Sequence, residues 1–449
     1  MSAPSVALGA DQVPGANLAP EQQALKPEER VAGAMRGFAR EIGALSALRL
    51  ESCIHCGICA DACHFYVATE DPQYTPILKV EPFKQAYKRE ASAFAPLFRW
   101  FGLKKPVTAE QLAQWQHLLY DSCNMCGRCT LICPMGIDVA ALIEQARHAM
   151  FEAGLAPAEL YEKAKHQQRT GQPESSAEPY RDQLLAIGRK FRVPIPIDMA
   201  RAQVMLTVPR TDIEHYPQAV VALARVMQHL KVPCTFRSDG LIAENYGYYA
   251  GGRDWQRAIS RRLIDQALDC QVKTLIVPEC GHAYAALRWE AADLYGKPLP
   301  FKVRHVTEYL AEALDAGTLR LRTADTGTTT FHDPCMLVRK GGVLDAPRRL
   351  MRAMGITPRE LTHHVGFNYC CGGGGGVLEI QRAAPLRYRA MENKLREIDQ
   401  TQARTFLTSC SDCRRTFDDG KQHFSWDKTP QSLLELVAEH LDAGAEGAA

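Results

Sequence analysis

Apolar positions Val31, Met35, Phe38, Ala39 and Ile42 recur at the three-to-four spacing of one helix face, which predicts a helix over 29–47. Ahead of it, residues 1–28 are rich in Ala, Pro, Gln and Gly without a period and read as a disordered arm. The polar stretch HQQRTGQPESSAEPYR, with two prolines, opens a linker assigned to 166–197. Beyond it the texture changes. Short apolar runs at 204–208 and 274–277 read as buried strands, with helices over 218–230 and 254–268 between them. The pattern then restarts, with strands at 328–332 and 405–408 and helices over 345–354 and 382–398.

The restart has residue-level anchors. LTVPR, ending at Arg210, falls on FHDPC, ending at Cys335, and at the same offset Asn245-Tyr246-Gly247 falls on Cys370-Cys371-Gly372. Two related α/β halves are therefore expected, 198–318 and 319–449, behind an N-terminal domain over 29–165.

Composition narrows the chemistry. The 449 residues include 53 basic and 51 acidic side chains, which excludes a polycationic nucleic-acid binder and leaves no nucleic-acid partner expected. Sixteen cysteines are too few for a secreted disulfide scaffold of this length, and they bunch into short-spaced groups. That usage predicts metal ligation in a reducing compartment. The N-terminus has neither a basic start nor an apolar stretch, and no window holds about 18 uninterrupted apolar residues, so a cytoplasmic protein is expected.

Two groups follow one rule: Cys53-x2-Cys56-x2-Cys59-x3-Cys63 and Cys123-x2-Cys126-x2-Cys129-x3-Cys133-Pro134. Three cysteines at steps of three wrap one [4Fe-4S] cubane while the fourth reaches the other. The spacing assigns Cys53, Cys56, Cys59 and Cys133 to cubane one, and Cys123, Cys126, Cys129 and Cys63 to cubane two. Structural zinc prefers two separated ligand pairs and fits poorly. His64 replaces the proline that follows the fourth cysteine in the second run. The long insertion between the runs carries Phe94, Leu97, Phe98, Trp100, Phe101 and Leu103, then Lys104 and Lys105. Its simpler reading is an amphipathic helix packed on the domain, its alternative a membrane or membrane-partner contact.

A third constellation is Cys335, then Cys370-Cys371-Gly372, then Cys410-x2-Cys413. Five thiolates from three strand ends can hold a larger or asymmetric iron-sulfur unit. The run Gly372–Gly376 lets backbone pass close to it, and no nucleotide-binding fingerprint accompanies those glycines. His332-Asp333-Pro334-Cys335, Tyr369-Cys370-Cys371-Gly372-Gly373 and Ser409-Cys410-Ser411-Asp412-Cys413 resemble the cysteine-rich CCG domain of heterodisulfide reductases. Joined to a two-cluster ferredoxin domain, the order over about 50–425 is similar to the heterodisulfide reductase HdrD and DsrK family. More distant likenesses are the iron-sulfur subunit of anaerobic glycerol-3-phosphate dehydrogenase and lactate-utilisation proteins.

The resemblance implies a mixed fold, α+β and α/β: a mostly helical ferredoxin-type domain followed by a pseudo-duplicated α/β CCG domain. It implies one noncubane [4Fe-4S] cluster on Cys335, Cys370, Cys371, Cys410 and Cys413. The first half departs from the pattern, with Arg210 in place of the lone cysteine, Asn245-Tyr246-Gly247 in place of the pair, and only Cys280 near the last motif. Cys280 has two readings, an auxiliary thiol or ligand and a small buried residue. His282 and His332 are candidate proton donors, whereas Cys234 and Cys270 lack partners at ligand spacing and are expected as core filler. Arg339-Lys340 and Arg414-Arg415 read as solvated surface, with attraction of an anionic substrate as the alternative.

The function implied is an iron-sulfur oxidoreductase subunit that moves electrons between a partner redox subunit and the noncubane site. There a disulfide- or trisulfide-type sulfur-sulfur bond is reduced or formed. The alternative is a non-catalytic electron-transfer or anchor subunit of a flavin dehydrogenase complex. Expected partners are redox subunits, a haem b membrane subunit among them, and a thiol, disulfide or small sulfur-carrier protein. Peripheral attachment to the inner face of the membrane through a partner is compatible with both.

Overall fold

The computed structural model describes residues 15–102, 106–176 and 178–442. Its N-terminal part is helical. Helix Pro27–Glu41 opens with proline at its first position, and Glu29 accepts a hydrogen bond from the Lys26 N–H at 2.7 Å. Its small face packs on helix Val139–Glu152, where a Cβ on Gly37 would stand 2.5 Å from the Ala149 Cα. The single helix expected over 29–47 is two, because Ile42 leaves helical geometry and extended Gly43 caps a second one, Ala44–Glu51. Phe38, Trp115, Leu119 and Leu142 are core residues of this part, and the same apolar cluster takes in Tyr246, Tyr249, Val377 and Ile380 from the C-terminal part.

Seven short strands follow. β1 (Val204–Leu206), β2 (Cys234–Phe236), β3 (Thr274–Val277) and β4 (Lys302–His305) form a parallel sheet in the order β2-β1-β3-β4. β5 (Thr329–His332), β6 (Thr405–Thr408) and β7 (Pro430–Ser432) form a second parallel sheet in the order β5-β6-β7. The order repeats: β5, β6 and β7 take the places of β1, β3 and β4, and Arg359 bridges Thr330 in the place of β2. Parallel strands need long crossovers, and helices such as Pro217–His229, Arg253–Asp269 and Ala384–Gln400 provide them. The strands legible as apolar runs are β1, β3, β5 and β6. β2, β4 and β7 are edge strands whose mixed residues, such as Lys302-Val303-Arg304-His305, give no run. One core joins the halves, since Leu206, Leu223 and Ile276 share a cluster with Phe331, Leu407 and Leu433.

Three stretches differ from the sequence reading. Residues 1–14 of the expected arm lie outside the described residues, but 15–28 are packed: the Asn17 N–H donates to Gln116 at 2.8 Å and buried Gln22 donates to the Ala156 carbonyl. The 166–197 stretch contains helix Tyr180–Phe191, whose Tyr180 and Leu184 are buried in the core. Polarity there concealed a tie, because buried Gln167 donates to the Glu244 carbonyl at 2.7 Å and accepts from the Tyr246 N–H at 2.9 Å. In the insertion, helix Glu81–Glu90 buries Phe83, Ala86 and Tyr87, while Phe94, Leu97, Trp100 and Phe101 around helix Ala95–Trp100 are exposed rather than packed. Leu103, Lys104 and Lys105 lie outside the described residues.

Candidate metal centres

The eight cysteines of the two N-terminal runs face two cavities. Cys53, Cys56, Cys59 and Cys133 line one, together with Ile54, Gly57 and Pro134. Cys63, Cys123, Cys126 and Cys129 line the other, together with His64, Lys79, Tyr369 and Cys370. Each set is a quartet of thiols converging on an apolar space, a donor arrangement that suits an iron-sulfur cluster. The first quartet lies at the surface, with Cys56, Ile54, Ile58 and Met135 exposed. The second has partly exposed cysteines and takes part of its wall from Tyr369 and Cys370 of the C-terminal part. Buried Lys79 points its ammonium at the Cys63 Sγ, 3.7 Å away, and donates to the Ser122 carbonyl at 2.5 Å.

The third constellation gathers at the strand ends of the second half. Thiol contacts run without a break from Cys335 to Cys370 (3.5 Å), on to Cys371, to Cys413 and to Cys410. All five are buried. His332, the last residue of β5, brings a ring nitrogen within 4.8 Å of the Cys371 and Cys413 sulfurs, and those two are equally close to each other. Burial, and then the Lys394 charge, pushes its imidazole well below the ordinary histidine range.

A hydrogen-bonded seam joins this site to the second quartet. Asn124 donates to the Gly372 and Gly374 carbonyls at 2.7 and 3.0 Å. Gly375 sits at φ +63°, where a Cβ would meet Asn124 backbone at 2.8 Å. The Arg339 guanidinium donates to the Cys126 carbonyl at 2.5 Å on one side and to the Gly366 and Asn368 carbonyls at 2.8 Å on the other. Arg128 donates to the carbonyls of Ala62 and Phe367 and lies 3.8 Å from the centre of the Tyr369 ring. Arg147, fully buried, donates to the carbonyls of Leu119, Cys123, Tyr249 and Gly375.

The first half contributes a buried polar layer instead of a thiol set. Arg210 pairs with Glu174, Glu214 and Glu379, and its N–H donates to Glu244 at 2.8 Å. Burial opposes ionisation of Glu379, but Lys163, Arg210 and Arg415 outweigh it and hold the carboxyl at about 2. Burial and then the Asp412 charge push Glu244 up to about 8. Buried Cys280 lies close enough to Cys410, Glu244 and Asp412 to feel their charges. His282 is turned to another neighbourhood: its ring stacks on Tyr249 at 4.1 Å and against Tyr248 at 4.7 Å, and burial pushes it down to about 3.

The arginines read as solvated surface are committed to internal partners. Arg339 bridges the seam, Arg414 pairs with Glu435 over the Tyr216 ring, and Arg415 pairs with Glu379. Cys234 packs on one apolar cluster and buried Cys270 lies in another, which it shares with Cys280; neither lines the cysteine quartets' cavities. Arg147, Arg128, Asn124 and Lys79 escaped sequence reasoning, since isolated residues carry no spacing. His64 did leave a signal by displacing proline: its Nε2 lies 2.5 Å from Asn124 Oδ1, and it feels the Cys370 charge.

Comparison with known proteins agrees with this geometry. Residues 49–137 match a 4Fe-4S dicluster domain and residues 329–418 a cysteine-rich domain. The HdrD-type subunit of the dihydromethanophenazine:CoB--CoM heterodisulfide reductase of Methanosarcina barkeri is 26% identical over 90% of this chain and 96% of its own length. An Hdr-like menaquinol oxidoreductase iron-sulfur subunit of Archaeoglobus profundus is 24% identical over 76% of this chain and 70% of its own. An EtfAB:quinone oxidoreductase of Syntrophomonas wolfei is 26% identical over 85% of this chain and 56% of its own. Among the described residues no helix is long and apolar enough to cross a membrane. With both domain types present in this order, and similarity to the Methanosarcina protein along nearly its whole length, the chain is an HdrD/DsrK-like iron-sulfur protein with a ferredoxin-type and a CCG domain.

Proposed function

We propose that this chain carries electrons between a membrane-associated redox partner and a sulfur-sulfur bond. Cys53, Cys56, Cys59 and Cys133 would hold one cubane, Cys63, Cys123, Cys126 and Cys129 a second, and Cys335, Cys370, Cys371, Cys410 and Cys413 a noncubane [4Fe-4S] cluster. When bound, these groups supply one-electron transfer at the quartets and disulfide- or trisulfide-type bond reduction or formation at the five-thiol site. The observation that carries the reading is Cys370, which lines the second quartet's cavity and is a link in the five-thiol chain.

The surrounding residues suit that task. Exposed Ile54, Ile58 and Met135 around the first quartet offer an apolar contact for the partner, a haem b subunit being one candidate. Reducing a disulfide takes two electrons and two protons. Glu244, pushed up to about 8, keeps its proton at neutral pH, and Cys280 feels both its charge and that of Cys410, so the pair can serve as a proton source for the site. His332 faces Cys371 and Cys413 directly, whereas His282 is stacked on Tyr249 with neither ring nitrogen hydrogen-bonded and has no proton path to the thiols among the described residues. With no spanning helix among the described residues, attachment to the inner membrane face would run through the partner.

The test is electron paramagnetic resonance of oxidised protein treated with thiols. A thiol-dependent signal lost in Cys371→Ser supports the reading, and persistence of the signal in that variant overturns it. A second reading, an electron-transfer subunit for a flavoprotein, is favoured by the likeness to the EtfAB:quinone oxidoreductase. It predicts reduction of the quartets by a flavoprotein and no response to any thiol or disulfide.

A further inference from the structure

We infer that the His332 imidazole is a nitrogen ligand to iron at the Cys371–Cys413 corner, giving the five-thiol site a mixed sulfur and nitrogen donor set. The inference rests on the reading that this site holds a cluster. It starts from a side chain the fold leaves without a partner. His332 is fully buried, and neither Nδ1 nor Nε2 has a hydrogen-bond partner among the described residues. Buried His64 meets Asn124, His117 meets Asp121 and His305 meets Thr307, whereas His282, orphaned in the same way, is stacked on Tyr249 and Tyr248 with no thiol pair beside it among the described residues; His332 alone of the two sits against sulfurs. A buried polar atom left unpaired is destabilising, so an imidazole with both nitrogens orphaned beside two sulfurs points to a missing group.

The ring is fixed rather than loose. His332 pairs in register with Thr408, whose hydroxyl donates to the His332 carbonyl at 3.3 Å. Phe417 packs edge-on against the imidazole, with centroids 5.0 Å apart and planes at 85°. The orientation so imposed puts a ring nitrogen and the sulfurs of Cys371 and Cys413 within 4.8 Å of one another. One metal ion with metal–sulfur and metal–imidazole bonds of about 2.3 and 2.1 Å spans such a triangle. A ring hydrogen bond to a thiolate would likewise engage one nitrogen, but it gives only weak nitrogen coupling at the iron, which separates the two arrangements.

A neutral imidazole adds a donor to the five thiolates without adding negative charge, which distinguishes this site electronically from the all-cysteine quartets. Metal-bound histidines usually donate their second N–H to a carboxylate or carbonyl. Here Phe417 packing takes over that orienting role.

The test is pulsed electron paramagnetic resonance on full-length protein, unlabelled and labelled with 15N-histidine, with the five-thiol site identified by the signal that Cys371→Ser removes. The strong nitrogen coupling of a directly bound imidazole is expected, changing with the isotope and lost in both His332→Ala and His332→Gln. Labelling alone reads the intact chain, so the result survives poor folding of either variant, and His64→Gln is expected to retain the coupling. A Cys371-dependent signal without strong histidine coupling, or coupling that persists in His332→Ala, overturns the inference alone. Absence of any Cys371-dependent signal overturns the underlying reading and this inference with it.

Discussion

Arg147 is the side chain through which three parts of the molecule meet, and Arg147→Met measures what that meeting is worth. The guanidinium is fully buried and has no carboxylate partner among the described residues. It makes five hydrogen bonds to four carbonyls: Leu119 at 3.1 and 2.9 Å, Cys123 at 2.9 Å, Tyr249 at 3.2 Å and Gly375 at 2.7 Å. Hydrogen bonds to a charged group contribute about 1.5–3 kcal/mol each, but burying an uncompensated cation costs several kcal/mol in return. Methionine removes both terms and leaves four carbonyls facing an apolar chain. The net loss expected is about 3–5 kcal/mol, in the range for breaking a buried ionic network. Lysine keeps the charge but has a single nitrogen for four diverging carbonyls, so Arg147→Lys should lose nearly as much. Urea unfolding followed by visible absorbance and by far-ultraviolet circular dichroism is the assay. The iron-sulfur absorbance should bleach at lower urea in both variants, ahead of the backbone signal, because Cys123 and Gly375 separate first. Midpoints equivalent to within about 0.5 kcal/mol of the parent would refute the idea that this guanidinium ties the domains together.

Gly375→Ala, which forces a side chain into left-handed geometry against Asn124 backbone, should cost about 2–5 kcal/mol and speed the bleaching of visible absorbance in air, whereas Cβ on Gly374 meets its nearest atom only at 3.3 Å and should be milder. Asp333, buried and bidentate to Arg348 at 2.7 and 2.9 Å, also accepts from the Val365 N–H, so Asp333→Asn should lower stability by about 3–5 kcal/mol in a thermal melt. Burial and then the Glu144 charge push Glu290 up to about 8 from 4.5, so the folded state holds an extra proton between those values. Its stability contribution is full below pH 4.5 and is lost as pH rises through 8; urea midpoints at pH 6 and 8.5 should therefore differ by about 1–3 kcal/mol more in the parent than in Glu290→Gln. Replacing Cys234 and Cys270 together with alanine should leave the iron content unchanged, which a colorimetric iron assay will read.

Legibility in the sequence followed range. The cysteine runs were readable because an iron-sulfur loop imposes its spacing over ten residues of one chain segment. The repeat was readable because short anchors at Arg210 and Cys335 align at a constant offset, and the observed strand orders match across the halves. What stayed hidden was contact between distant segments. Nothing local to Arg339 announces that it will bond the Cys126 carbonyl, and nothing in a polar stretch with two prolines announces that Gln167 will be buried against Glu244. The solvated readings of Arg414 and Arg415 erred in this way, since partners at Glu435 and Glu379 lie in other elements. Edge strands failed differently, because β4 and β7 have too few apolar neighbours to show a period.

The shared wall at Tyr369 and Cys370 bears on the order in which the molecule is built. The second quartet's cavity is closed partly by residues made roughly 240 positions later in synthesis, and Arg339 and Asn124 then latch it. A cluster loaded into the N-terminal part before the C-terminal half docks would meet that cavity with one wall absent, so the order of loading and docking becomes a variable of assembly.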